Sequence, residues 1–149
     1  MLFRSTNYKN CLFFEKNSDF FKKIYFNLNT NFLSEVNFIF TKKIIEFLDL
    51  KINLHKSSDL GIDGDRNTRL LNICNFLNCT HYLSGPSAKC YLDEGIFREK
   101  NIKVLYHNYE NFKEYKQNWQ GFSHSVSILD MFFNLGDETK NYFNETQPI

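Results

Sequence analysis

Residues 65–84 read DRNTRLLNICNFLNCTHYLS, and the fold turns on them. Asp65 is a residue type that accepts hydrogen bonds from the free N–H groups at a helix start, which predicts an N-cap. Leu70, Ile73, Cys74 and Leu77 recur at three- and four-residue spacing, the pattern of one buried helix face. HYLS (81–84) follows as a short strand. A helix running into a strand without a hairpin signal belongs to a parallel arrangement.

The pattern continues in both directions. Downstream, SGPSAK (84–89) breaks the chain, LDEGIFREKN (92–101) predicts a short helix and IKVLYHNY (102–109) a further strand. Upstream, LSEVNFIFTKKIIEFLDL (33–50) carries apolar residues at 33, 36, 40, 44, 47 and 48. KINLH (51–55) then alternates as a strand would. The helix–strand unit thus recurs three times in about 75 residues. FFEKNSDFFKKIYFNL (13–28) predicts a helix from about Ser18. YENFKEYKQNWQGF (109–122) reads as an irregular aromatic connection, and SHSVSILDMFFNLG (123–136) as a capped helix ending at Gly136. A last helical stretch, DETKNYF (137–143), precedes a frayed tail, NETQPI (144–149). The expected fold class is α/β: a three-layer-like, open, mostly parallel sheet with flanking helices, ending in a helical segment.

Composition bounds the function. The chain has 149 residues, 42% hydrophobic, the size of a single domain that buries a real core. Eighteen basic and 17 acidic side chains leave a net charge of +1 with no block of like charge, unlike a polynucleotide footprint. No apolar run reaches the roughly 18 residues of a membrane span, and MLFRSTNYKNCLFFEKNSDFF lacks the apolar core of a signal peptide, so a cytoplasmic location is expected. Cys11, Cys74, Cys79 and Cys90 form no CxxC pair and no zinc spacing, so thiols and no metal are expected. Cys74, on an apolar helical face, reads as core packing.

In an open parallel sheet, ligands bind beyond the carboxyl ends of the strands. That rule gathers Lys56, Ser57, Ser58 and Asp59 with Ser84, Gly85, Ser87 and Lys89, and with His107 and Asn108. Hydroxyls, a lysine and an imidazole on one rim suit a polar or anionic ligand. SGPSAK matches neither a Walker A loop nor GxGxxG, and on spacing alone a plain turn into the next helix is the commoner reading. Arg66 and Arg69 lie in a first helical turn, where the macrodipole disfavours a cation. A nearby Asp63 or Asp65 is the commoner compensation, and a bound phosphate or carboxylate the other. His107 is either a hydrogen-bonded rim residue or a general base, His55 and His81 read as structural, and His124 as part of a capping segment. Asp130, within apolar SILDMFFN, needs a salt bridge, a capping partner or a substrate contact.

Two longer runs carry a family resemblance. RLLNICNFLNCTHYLSGPSAKCYLDEGIFREKNIKVLYHNY (69–109) and YKQNWQGFSHSVSILDMFFNLG (115–136), with SEVN (34–37) and SSDL (57–60) upstream, resemble the WbqC-like family of bacterial proteins. The matching positions are Arg69, Cys74, Leu77, Tyr82, Leu83, Ser84, Gly85, Tyr91, Leu92, Phe97, Tyr115, Gln117, Phe122, Ser127, Asp130, Asn134 and Gly136, and the similarity covers most of residues 15–136. The His–Gln–Pro and Tyr–Leu–Pro–Trp segment usual at the family's amino terminus has no counterpart here. The chain therefore reads as the carboxy-terminal two-thirds of the family's domain, either truncated or completed by a second chain that supplies the amino-terminal strands.

The resemblance implies a role in bacterial surface-polysaccharide (O-antigen, lipopolysaccharide) biosynthesis, with transfer of an aminoacyl, glycine-like group to a nucleotide sugar or glycan precursor. On this reading Arg69 and Lys89 hold the anionic part of the ligand, and Ser57, Ser58, Asp59, Ser84, Gly85 and Tyr91 line the pocket. Gln117 and Asp130 approach from the final segment, and His107 and Asp130 are the catalytic candidates. The alternative is a non-catalytic ligand-binding or assembly subunit, or an inactive fragment. No cofactor is indicated.

Overall fold

The computed structural model describes residues 6–109 and 112–145; the end of the expected frayed tail, residues 146–149, lies outside the described residues. The chain divides into two compact units, the first built from residues 6–53 and 112–145, the second from residues 54–109.

The first unit is helical. Helix α1 spans Phe14–Phe26 and buries Asn17, Ser18, Phe21 and Ile24. It begins a turn before the expected Ser18. The Ser18 hydroxyl points back to the carbonyl of Glu15 at 3.3 Å, a bond made inside a helix rather than at its cap. Helix α2, Leu33–Leu48, stops where Asp49 turns left-handed at φ 55°, returning the N–H of Leu50 to the carbonyl of Ile45. Its stripe holds from Phe40 to Leu48, whereas Leu33 is exposed.

Helix α5, Ile128–Leu135, starts at the Ser127 hydroxyl, which accepts from the N–H of Leu129, and ends at Gly136. A 3-10 turn, Gly136–Glu138, leads into α6, Thr139–Glu145. The fully buried Phe132 centres the core, its ring 4.7 Å from Phe47 and 5.2 Å from Phe21. The Asn17 amide donates to the carbonyl of Phe132 at 2.7 Å and ties α1 to α5.

The second unit holds the sheet. Helix α3, Arg66–Phe76, begins as expected: the Asp65 carboxylate accepts from the N–H groups of Asn67 and Thr68, both at 2.9 Å. Leu71 and Cys74 are its buried residues, while the expected Leu77 is exposed because the helix ends before it. Strand β1 is His81–Ser84, a 3-10 turn occupies Pro86–Cys90, helix α4 is Glu94–Glu99 and strand β2 is Lys103–Tyr106. The strands pair in parallel, His81 against Lys103 through Ser84 against Tyr106.

Both helices stop at an asparagine in left-handed conformation, Asn78 and Asn101, before the chain enters its strand. The core joins Leu71, Cys74, Leu92, Phe97 and Ile102, with Tyr82 stacked on Phe97 at 5.2 Å. Burial pushes the Cys74 thiol up to about 11, with Cys79 adding to the effect, consistent with a packing role.

The fold is α/β with a parallel sheet and flanking helices, but the sheet has two strands rather than three among the described residues. KINLH (51–55) is not a strand. Ile52 and Leu54, the apolar members of its alternation, are both exposed, so the pattern has no layer to pack against.

Candidate functional site

The carboxyl ends of β1 and β2 are joined where the N–H of His107 donates to the carbonyl of Ser84 at 2.9 Å. The His107 ring meets Tyr109 edge-on at 4.8 Å, and a methyl group at Gly85 would lie 3.7 Å from the Tyr109 hydroxyl. Ser84, Gly85, His107 and Tyr109 therefore share one rim, as strand order predicted for the first three. SGPSAK itself is a self-contained turn. Pro86 occupies its first position, and the N–H groups of Ala88 and Leu92 bond to the carbonyls of Gly85 and Ala88. Within SGPSAK the Ala88 amide is thus spent on the turn itself.

The turn delivers Lys89 and Tyr91 to a group of cations and aromatic rings. The Lys89 ammonium lies over the Tyr106 ring at 5.1 Å, and the Arg66 guanidinium over Tyr91 at 4.6 Å. Asn67 fixes this segment with both ends of its amide: Nδ2 donates to the carbonyl of Tyr91 at 3.3 Å, and Oδ1 accepts from the N–H of Asp93 at 3.1 Å. The Tyr106 hydroxyl donates to Glu94 at 2.8 Å; burial and then that bond push its phenol up to about 12.

The expected Arg–Asp pairing is not made. Asp65 spends its carboxylate on the helix N-terminus, and those bonds, from Thr68 first, hold its carboxyl below the usual range. Arg69 reaches the carbonyl of Ser57 at 3.5 Å. Among the described residues no carboxylate pairs with Arg66, Arg69 or Lys89. Ser57 thus meets Arg69, although no strand delivers it. The Ser58 hydroxyl donates to Asp59 at 3.0 Å, and both residues are exposed.

Asp130 and Gln117 belong to the first unit. Asp130 is fully buried; its Oδ2 accepts from Tyr115 Oη at 2.6 Å and Gln117 Nε2 at 3.1 Å, while Oδ1 has no hydrogen-bond partner among the described residues. Gln117 also clasps the backbone of Ser123, accepting from its N–H at 2.8 Å and donating to its carbonyl at 3.0 Å. Among the described residues Asp130 is therefore held by Tyr115 and Gln117, and makes neither a salt bridge nor a cap. The cap of α5 is Ser127, and His124 packs edge-on against Phe122 at 4.8 Å. His81 bonds to the Thr80 hydroxyl at 2.9 Å.

Asn67, Tyr106, Glu94 and Tyr109 escaped the sequence reading. Alternation along IKVLYHNY places Tyr106 beside the partly buried Val104 on one face, a signal available in advance. Asn67 gave none, because its partners lie 24 and 26 residues away.

Comparison with known proteins agrees with this arrangement of motifs. The chain is 36% identical over 136 residues to the uncharacterized protein Rv1507c of Mycobacterium tuberculosis, a stretch covering 91% of this chain and 59% of that relative. It thus spans about three-fifths of the relative's length. No solved structure matches it. The pattern of the WbqC-like protein family matches residues 4–142, and the chain belongs to that family.

Proposed function

We propose that the second unit binds the anionic group of a phosphorylated glycan precursor, such as a nucleotide sugar, and that the protein serves surface-polysaccharide assembly in the cytoplasm. The observation that carries this reading is a set of cations with no carboxylate partner among the described residues, Arg66, Arg69 and Lys89, two of them held against tyrosine rings. A stacked guanidinium keeps its edge donors directed outward in the fork that suits phosphate. Tyr91, about half exposed, offers a ring face to a sugar. To Ser57, Ser58, Asp59, Ser84 and Gly85 we assign the remaining polar contacts of the ligand, with the Ser57 carbonyl already at Arg69.

The reaction we assign is acyl transfer from an activated aminoacyl ester. A sugar hydroxyl attacks the acyl carbon, the new ester bond forms as the bond to the leaving alcohol breaks, and His107 takes the hydroxyl proton and returns it to that alcohol. A second reading is ligand binding without chemistry, alone or with a second chain. It is favoured by the complete burial of Asp130, whose carboxylate holds Tyr115 and Gln117 in place.

Calorimetric titration with UDP-N-acetylglucosamine tests the site. Arg69→Ala and Lys89→Ala should each weaken binding about tenfold. Unchanged binding in both variants overturns it. Turnover of an aminoacyl ester that His107→Gln abolishes separates the transferase from the binding subunit.

A further inference from the structure

The outer edge of β2 carries a feature that the anion site does not use. The N–H groups of Lys103 and His107 bond to the carbonyls of Thr80 and Ser84 at 2.9 Å each, so residues 103, 105 and 107 direct their backbone groups toward β1. Val104 and Tyr106, between them, turn theirs the other way, and no other strand pairs there among the described residues. An unpaired strand edge is a ready template for another extended chain. Beside it lies a cleft of about 360 Å³, lined by Glu94, Arg98, Asn101, Ile102, Lys103 and Val104.

The cleft carries a net positive charge, two cations against one acid. Arg98 and Lys103 pair with no carboxylate among the described residues, and the one acid, Glu94, already accepts from Tyr106. A second copy of the chain brought edge to edge would bring together two patches of the same net positive charge, which favours an acidic partner over self-pairing. We propose that the open edge of β2 docks an extended acidic polypeptide segment, which adds to the sheet through the backbone of Val104 and Tyr106 and places carboxylates against Arg98 and Lys103. Main-chain bonds supply the affinity and the two cations the choice of partner. This surface does not depend on Arg66, Arg69 or Lys89.

The probe is a short synthetic peptide in which valine alternates with glutamate, added to the full chain and followed by amide hydrogen exchange. The Val104 and Tyr106 amides should exchange about tenfold more slowly, while that of Leu105, turned toward β1, stays as it was. Arg98→Glu with Lys103→Glu should weaken the peptide by about tenfold or more, and so should proline at alternate peptide positions, which removes the main-chain donors. Arg66→Ala should leave binding intact. Unaltered exchange at Val104 and Tyr106 with the peptide in excess overturns the proposal. Equal binding of the proline peptide, or loss of binding in Arg66→Ala, does so too, by assigning the contact to charge alone or to the anion site.

Discussion

Tyr115 donates its phenolic hydrogen to Oδ2 of Asp130 at 2.6 Å, and Gln117 donates to the same oxygen at 3.1 Å. One fully buried carboxylate thereby anchors an irregular loop to the start of α5, and Gln117 carries the tie on to Ser123. Residues 112–127 form no helix or strand, so bonds of this kind hold their path.

Asp130→Ala leaves a buried phenol and a buried amide without their acceptor and should cost about 3 kcal/mol of unfolding free energy. Asp130→Asn keeps an acceptor oxygen facing Tyr115 and Gln117 and should cost about 1 kcal/mol. Urea denaturation of the two variants checks the order; equal losses would show that the acceptor is not what the loop depends on.

Burial, and then the bond to Asp130, raises the Tyr115 phenol well above its ordinary 10. The folded chain therefore keeps this proton when the unfolded chain gives it up. The contribution is fully present below about pH 10 and is lost as pH rises toward the folded value. Tyr115→Phe should show a shallower loss of stability above pH 10 than the parent, read from denaturation midpoints across the alkaline range.

Gly136 closes α5 at φ 59°, and a methyl group there would lie 2.6 Å from a ring carbon of Phe13. Gly136→Ala meets both a left-handed backbone and an aromatic wall, and should cost about 3 kcal/mol. Adding Phe13→Leu should return part of the loss by yielding space. A single variant as stable as the parent in thermal unfolding would contradict the close approach.

Asn67 touches no ligand in the proposed site, yet its amide holds Tyr91 and Asp93 to the start of α3. Asn67→Ala should cost about 1 kcal/mol and lower the affinity for UDP-N-acetylglucosamine, while Asn67→Gln recovers neither because its longer side chain misplaces both ends. Loss of stability with unaltered affinity would separate the Asn67 clamp from the ligand site.

Much of the second unit was readable from residue order. Asp65 caps α3, two strands follow their helices, and the parallel pairing comes from helix–strand alternation. The Ser127 to Gly136 helix was also legible, because its caps are local. KINLH misled because alternation states only what a strand would look like. Pairing requires a neighbour, and Ile52 and Leu54 found no layer to cover them. Ser18 misled for a related reason, since a serine hydroxyl serves a helix start or bonds back inside the helix according to where the chain begins to coil.

The candidate site divides the same way. The sequence by itself determined which residue types cluster near the strand ends, Ser84, Gly85, Lys89 and His107, because strand direction follows from the order of elements. Only the tertiary structure decided that Asp65 caps a helix instead of neutralising Arg66 or Arg69, and that Arg66 and Lys89 rest on tyrosine rings. It also decided that Asp130 is buried beneath Tyr115 and Gln117. Capping and helical periodicity act over three or four residues and are written in the chain. The partner of a charge is chosen by whatever the fold brings within a few ångströms of it, often from tens of residues away.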